Sequence, residues 1–197
     1  MASRGGPMVD GTDGADFQYR QRVAAPHRIS MLNKKRLTSC IYCHLILLIL
    51  MLCKLTPDIL DRADVFVLEV EELEVPTPQW WEYIWMISVI TIPFGFRAMA
   101  ANSVQKMQKY ILGLVLTGVL PIAYCMVYYF SDFWEFIWLE NKFDLEDTDI
   151  ALWNGLPLGV LWYAFGFAAL QVLGFTLYFA YKCIQTWRSR IAAKKGI

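Results

Sequence analysis

The sequence has no net charge and little charge of either sign, with 18 Lys and Arg against 18 Asp and Glu in 197 residues. This balance disfavours a strongly basic nucleic-acid binder, so we expect no nucleic-acid partner. With 57% hydrophobic and 15% aromatic residues, the chain is too apolar for a disordered segment. Its five cysteines lack the spacing of a disulfide framework. A membrane protein is the class that this composition favours.

Motifs that carry enzyme or metal chemistry are also missing. The sequence has no P-loop, dinucleotide fingerprint, Gly-x-Ser-x-Gly elbow or histidine box. Cys40 and Cys43 have the gap of a zinc ligand pair, but there is no second pair. The acidic run that begins at Asp144 fails the EF-hand pattern, because Asp149 stands at the glycine position and Gly155 at the glutamate position. We therefore predict no enzyme activity, no cofactor and no metal site.

Long apolar runs are what the sequence does contain. They predict membrane spans over residues 37–55, 80–99, 110–130 and 157–181, and the last two runs carry no charge. Pro93 and Gly95 interrupt the second run, so we expect a kink or a short span there. The predicted fold is an all-α membrane protein with four transmembrane helices.

Basic residues predict the orientation of these spans. Seven Lys and Arg precede the first span in residues 1–36, three lie in residues 97–109, and five lie in residues 182–197. The loops 56–79 and 131–156 carry one each, Arg62 and Lys142. This alternation predicts that both termini and the loop 100–109 are cytosolic and that the other two loops are lumenal. We expect the first span to serve as the targeting signal.

Segments beside the spans have amphipathic patterns. The aromatic-rich stretch that starts at Ser131 predicts an interfacial helix at the lumenal side. Beyond residue 181, Ile184, Trp187 and Ile191 recur at helical spacing among basic residues. We therefore expect the fourth helix to continue and to lie on the cytosolic leaflet.

Two polar residues inside the spans are candidates for function. His44 could relay protons, but a structural hydrogen bond near the cytosolic interface is the favoured interpretation. Gln171 is expected to hydrogen-bond between helices. A small channel or transporter is the alternative function, and a membrane enzyme lacks clustered catalytic residues. Small residues expected to allow close helix packing in the fourth span are Ala164, Gly166, Ala168 and Gly174.

Modification and sorting signals lie at the predicted cytosolic side. Lys194 and Lys195 stand fourth and third from the C-terminus, a pattern similar to the dilysine retrieval signal of endoplasmic reticulum (ER) membrane proteins. A basic tail without that role is the competing interpretation. Cys40, Cys43 and Cys183 lie near the cytosolic ends of spans and are candidates for reversible palmitoylation.

Five segments spread over the whole chain resemble one known family. They are GTDGADF with the basic residues after it, CKLTPDIL, VFVLEVEELEVPTPQWWEY, YYFSDFWEF and GFTLYFAY. Together they are similar to the insect members of the Jagunal family. The resemblance implies a non-enzymatic ER membrane protein that supports ER organisation and vesicle traffic. It also implies that Lys194 and Lys195 bind the retrieval coat, with the lipid bilayer and secretory cargo as further partners.

Overall fold

Four long apolar helices dominate the computed structural model, which describes residues 15–138 and 150–195. Within those residues, the segments long and apolar enough to cross a membrane are His27–Arg62, Trp80–Ala101, Val104–Tyr128 and Leu158–Ala192. Each one overlaps a predicted span. A mostly helical fold with four such helices is therefore confirmed, whereas the orientation of the termini and the limits of the membrane stay predictions.

The first and last helices are the longest and pack against each other. Helix α1 covers Ala15–Arg62 and helix α8 covers Leu158–Lys195. At 1.5 Å per residue they are about 72 and 57 Å long, against about 30 Å for the hydrocarbon core of a bilayer. Both helices therefore extend well beyond a membrane. Residues buried in the core of the bundle include Leu37, Leu48 and Leu55 from α1 and Leu173 and Ala180 from α8.

The second apolar segment is interrupted, as its proline predicts. Helix α3 (Trp80–Ile87) passes through a 3₁₀ turn at Ser88–Ile90 into helix α4 (Thr91–Ala101). Pro93 has no N–H to donate to the carbonyl of Val89, so the α-helical bonding pattern fails one turn before it. A short helix α2 (Leu68–Glu71) lies in the loop before α3.

A tight connection joins the second and third segments. Asn102 ends α4 in the left-handed conformation with φ of 48°, which asparagine tolerates well. Ser103 then caps helix α5 (Val104–Leu114) by accepting a hydrogen bond from the backbone N–H of Lys106. Most of the predicted loop 100–109 is therefore helical.

The third segment contains a local widening of its helix. Helix α5 passes through a π-helical turn at Val115–Val119 into helix α6 (Leu120–Tyr128). Pro121 has no N–H to donate to the carbonyl of Thr117, and the π turn is a single turn within the helix, the form in which π-helix mostly occurs. On both sides of the π turn this segment packs in the core of the bundle, where Leu114, Ile122 and Cys125 are buried.

Two smaller elements complete the predicted lumenal side. Helix α7 (Phe130–Trp138) confirms the predicted helix in this stretch, and its interfacial position stays a prediction. Strands β1 (Leu152–Trp153) and β2 (Leu156–Pro157) form a short antiparallel hairpin. Its two-residue turn is formed by Asn154 and Gly155, which both have positive φ. Asn-Gly is the usual sequence for such a turn, because these residues adopt positive φ most easily.

Candidate functional site

The ends of α1 and α8 form one packed unit, which we call the terminal helix pair (residues 24–36 and 182–192). Trp187 of α8 is 2% exposed, and its indole N–H donates a hydrogen bond of 3.2 Å to the hydroxyl of Ser30 in α1. Asn33, Cys183 and Ile184 are buried in the same contact region. The expected continuation of the fourth helix is confirmed. We expected the apolar residues of this extension to face the cytosolic leaflet. Instead, Ile184 and Trp187 are buried in the contact with α1, and of the three only Ile191 is exposed.

The terminal helix pair is rich in basic residues. Its two segments contain no Asp or Glu. The ammonium of Lys34 lies 5.7 Å from the ring centre of Trp187, and the guanidinium of Arg36 lies 5.7 Å from that of Phe179. Packing therefore holds basic side chains together in a strongly positive end of the bundle. The Lys and Arg residues of the pair are Arg28, Lys34, Lys35, Arg36, Lys182, Arg188 and Arg190.

The retrieval signal predicted from the sequence lies at the tip of this unit. Helix α8 ends at Lys195, so the backbone of Lys194 and Lys195 continues from the terminal helix pair. Their side chains, and residues 196 and 197, lie outside what the structure describes. Coat binding through these two lysines stays a prediction.

The three cysteines proposed for palmitoylation have different surroundings. Cys43 is exposed, Cys40 is partly exposed, and Cys183 is fully buried between α8 and its neighbours. Acylation of Cys183 would require the helices to separate. Of the other two cysteines, Cys125 packs in the core, whereas Cys53 is exposed.

His44 has the polar partner that the sequence could not name. Its Nε2 lies 3.1 Å from the hydroxyl of Ser88, at the 3₁₀ turn between α3 and α4. The imidazole is fully buried and packs edge to face with Trp85, at 5.6 Å between ring centres. The favoured structural interpretation gains support, because this pairing joins α1 to the second apolar segment.

An ion pair that the sequence analysis missed joins α1 to α3. The ammonium of Lys54 lies 2.6 Å from a carboxylate oxygen of Glu82, and Glu82 is buried. Glu82 also accepts a hydrogen bond of 2.9 Å from the backbone N–H of Gln79 at the start of α3. Nearby, Asp58 accepts hydrogen bonds from the phenol of Tyr83 and from Arg62. The Lys54–Glu82 ion pair and the hydrogen bond from Tyr83 to Asp58 thus join α1 to α3 at this end of the bundle.

We expected Gln171 to hydrogen-bond between helices, but within the monomer it does not lie between them. Its side chain is exposed on α8 and makes no hydrogen bond within the part of the chain that the structure describes. Of the four small residues named for this span in the sequence analysis, only Gly166 packs closely against another helix, where a Cβ would lie 2.5 Å from the sulfur of Met126. Exposed small residues on α8 are Ala164, Ala168 and Gly174. Within the monomer these three residues therefore face no other span, and their role in close packing stays a prediction.

The acidic clusters give no metal site within the described residues. The first cluster lies in and just after helix α2 and is exposed; its members are Glu69, Glu71, Glu72 and Glu74. Among the described residues, no group of three or more His, Cys, Asp or Glu side chains could hold a metal ion. The second acidic cluster, residues 144–149, lies outside the described residues. The two predicted lumenal loops nevertheless touch, because the indole N–H of Trp153 donates to the carbonyl of Leu73 at 3.0 Å.

Four apolar helices with one strongly basic end define the class of this protein, a multi-pass helical membrane protein. The chain belongs to the Jagunal family, whose model matches residues 1–191. That family is described as "Jagunal, ER re-organisation during oogenesis". It is 55% identical to "Protein jagunal" of Drosophila melanogaster over 195 residues, 99% of both chains. It is 30% identical to the homolog of Caenorhabditis briggsae over 95% of this chain and 97% of that one. Human "Protein jagunal homolog 1" is 25% identical over 99% of both.

Proposed function

We propose that this protein is a multi-pass ER membrane protein, with both termini in the cytosol, that supports ER organisation and vesicle-mediated transport in the early secretory pathway. It acts without catalysis, by binding the retrieval coat through Lys194 and Lys195 and by engaging secretory cargo. The observation that carries this proposal is the terminal helix pair, because it packs a basic segment of α1 against the basic segment of α8 that leads to the dilysine. The family description supports the ER role.

The length of α8 suits the recognition of its tip by a soluble protein. From Lys182 to Lys195 the helix rises by about 20 Å at 1.5 Å per residue. That distance carries the two lysines clear of the headgroups. Because Trp187 is packed against α1 beside Ser30, the emerging helix is braced rather than free to lie on the membrane. Two ammonium groups beside a free carboxylate form a compact pattern for acidic receptor residues.

The same unit has the chemistry to bind anionic lipid. On the α1 side, Ile29, Met31 and Leu32 are exposed among basic residues. Apolar side chains that insert shallowly and cations that attract negative headgroups reinforce each other at a membrane surface. The bilayer is therefore a partner of the terminal helix pair as well as the solvent of the spans.

The channel or transporter hypothesis has less to support it. His44 is paired with Ser88 in the packed interior, and Gln171 faces outward from the bundle. Glu82 is neutralised by Lys54. These polar groups serve contacts between helices, and we do not carry this second function further.

Exchange of the dilysine tests the proposal. In cells, Lys194→Ser with Lys195→Ser should shift the protein from the ER to later compartments and remove retrieval-coat subunits from affinity captures. The matched control is Lys106→Ser with Lys109→Ser, which removes two exposed charges from α5 on the same predicted side. That control should keep ER localisation and coat capture. Unchanged localisation of the tail variant, or equal loss in the control, would contradict coat binding through the dilysine.

A depletion experiment tests the organelle role separately. Loss of the protein from a secretory cell should alter ER morphology and slow secretory transport, and re-expression of the full chain should reverse both. Normal morphology and normal transport after depletion would contradict the proposed function even if the dilysine is read by the coat.

A further inference from the structure

An amide without a partner lies near the middle of the last span. Gln171 is about 20 Å along the axis of α8 from Leu158 and about 16 Å from Lys182. With a hydrocarbon core of about 30 Å, this places Gln171 close to the membrane centre. Its side chain is exposed and makes no hydrogen bond in the described part of the chain. A polar group left without a hydrogen bond in hydrocarbon is strongly unfavourable, so this position favours a partner outside the monomer.

The surroundings of Gln171 allow another helix to approach closely. Ala164 and Ala168 precede it on the same exposed face, at spacings of one and two helical turns. At Gly174 a Cβ would meet no atom within 4 Å. Beside it runs a shallow groove of about 400 Å³, formed by Leu170, Gln171, Gly174, Phe175 and Tyr178. Small residues beside a polar one are the features that let membrane helices pack without the aid of water.

We propose that the occupant of this face is a second copy of the same chain, in a twofold symmetric dimer centred on Gln171. An amide both donates and accepts a hydrogen bond, so two Gln171 side chains related by a twofold axis satisfy each other. Two copies in one membrane share their orientation, which lets the axis run along the membrane normal. No charge lies in residues 157–181, so two such faces do not repel each other. The proposal depends on membrane insertion and not on coat binding.

The test measures dimerisation of the purified full chain in lipid vesicles. Fluorescently labelled protein is diluted over a range of protein-to-lipid ratios, and the dimer fraction is read by stepwise photobleaching. Gln171→Leu should raise the protein-to-lipid ratio needed for half dimerisation by about 3- to 30-fold, the range for a hydrogen bond between membrane helices. Gln171→Asn, which keeps the amide, should recover part of the loss.

A steric pair of variants checks which face is used. Ala168→Leu adds bulk beside Gln171 and should weaken the dimer. Ala123→Leu, the same change on the exposed face of α6, should leave it unchanged. Since Ala168, Gln171 and Ala123 are all exposed in the monomer, helical content and thermal unfolding should match the wild type in every variant. These controls separate loss of the dimer from loss of the fold.

Three outcomes would overturn the proposal. The first is a wild-type chain that stays monomeric at every ratio. The second is a dimer that is indifferent to Gln171→Leu and Ala168→Leu. The third is a monomeric chain whose Gln171 is required to capture a different membrane protein from cells, since that protein would then occupy the face. All vesicle measurements lack coat and cytosol, so their failure is distinguishable from failure of the proposed cellular function.

Discussion

The ammonium of Lys54 in α1 lies 2.6 Å from the carboxylate of Glu82 in α3, and the side chain of Glu82 is 1% exposed. Lys54→Met removes the positive charge and leaves the buried carboxylate of Glu82 without its partner. Breaking a buried pair in this way typically costs about 3–5 kcal/mol of unfolding free energy. Reversible unfolding of the detergent-solubilised protein measures that loss. Lys54→Met combined with Glu82→Gln should recover most of it, because no buried charge is then left unpaired.

The control for this ion pair is a neighbouring one at the surface. Arg62 pairs with Asp58 at 2.7 Å, but the Arg62 side chain is 71% exposed. Arg62→Gln should change the unfolding free energy far less than Lys54→Met does, because exposed ion pairs contribute little to stability. A larger loss of unfolding free energy from Arg62→Gln than from Lys54→Met would contradict the view that burial makes the Lys54–Glu82 pair important.

Trp187 is the residue that holds the terminal helix pair together. Trp187→Ala removes its packing on α1 and its hydrogen bond to Ser30, and a buried tryptophan lost in this way costs about 3–5 kcal/mol. Hydrogen exchange measured by mass spectrometry should show faster exchange, by about 100-fold or more, in residues 24–36 and 182–192. The central parts of the four spans should keep their protection, since the contact lies at the ends of the helices.

Two further variants test whether loss of the Trp187 contact causes the faster hydrogen exchange. Trp187→Phe keeps an aromatic ring without the N–H donor and should fall between wild type and alanine. Ile191→Ala changes an exposed residue of the same helix and should leave exchange unaltered. If the amides of the terminal helix pair exchanged no faster in Trp187→Ala than in Ile191→Ala, the contact of Trp187 with α1 would not be what stabilises the pair.

Helix existence could be predicted from this sequence, because the length of an apolar run is a local property. The same holds for the interruption before Pro93, which follows from a missing backbone donor. Pairings such as His44 with Ser88 could not be predicted, since they depend on how each helix is rotated about its own axis. Gln171 shows the same limit, because the sequence placed it within an apolar run but could not show that it lies on an exposed face of the helix. The turn at Asn154 and Gly155 was a local signal that composition-based analysis overlooked.

Palmitoylation should follow the exposure of the three candidate cysteines. Acyl exchange on protein from cells should label Cys43 and, more weakly, Cys40, because the enzyme and the acyl chain need access to the thiol. Cys43→Ser should remove most of the label. Cys183→Ser should leave it unchanged, because Cys183 is 0% exposed beneath α1. Label that disappears only with Cys183→Ser would mean that α1 and α8 separate at this point in the cell.

Glycosylation sites added by substitution test the predicted orientation of the spans, since N-glycans are attached only on the lumenal side. Glu71→Asn with Leu73→Thr creates a site beside α2, at side chains that are exposed, and should produce a glycosylated band. Val104→Thr creates a site at Asn102 in the connection between α4 and α5, and should produce none. Treatment with an N-glycan-cleaving enzyme distinguishes a true glycan from an altered migration. A glycan at Asn102 without one at residue 71 would invert the topology, place the terminal helix pair in the lumen, and remove Lys194 and Lys195 from the reach of any cytosolic coat.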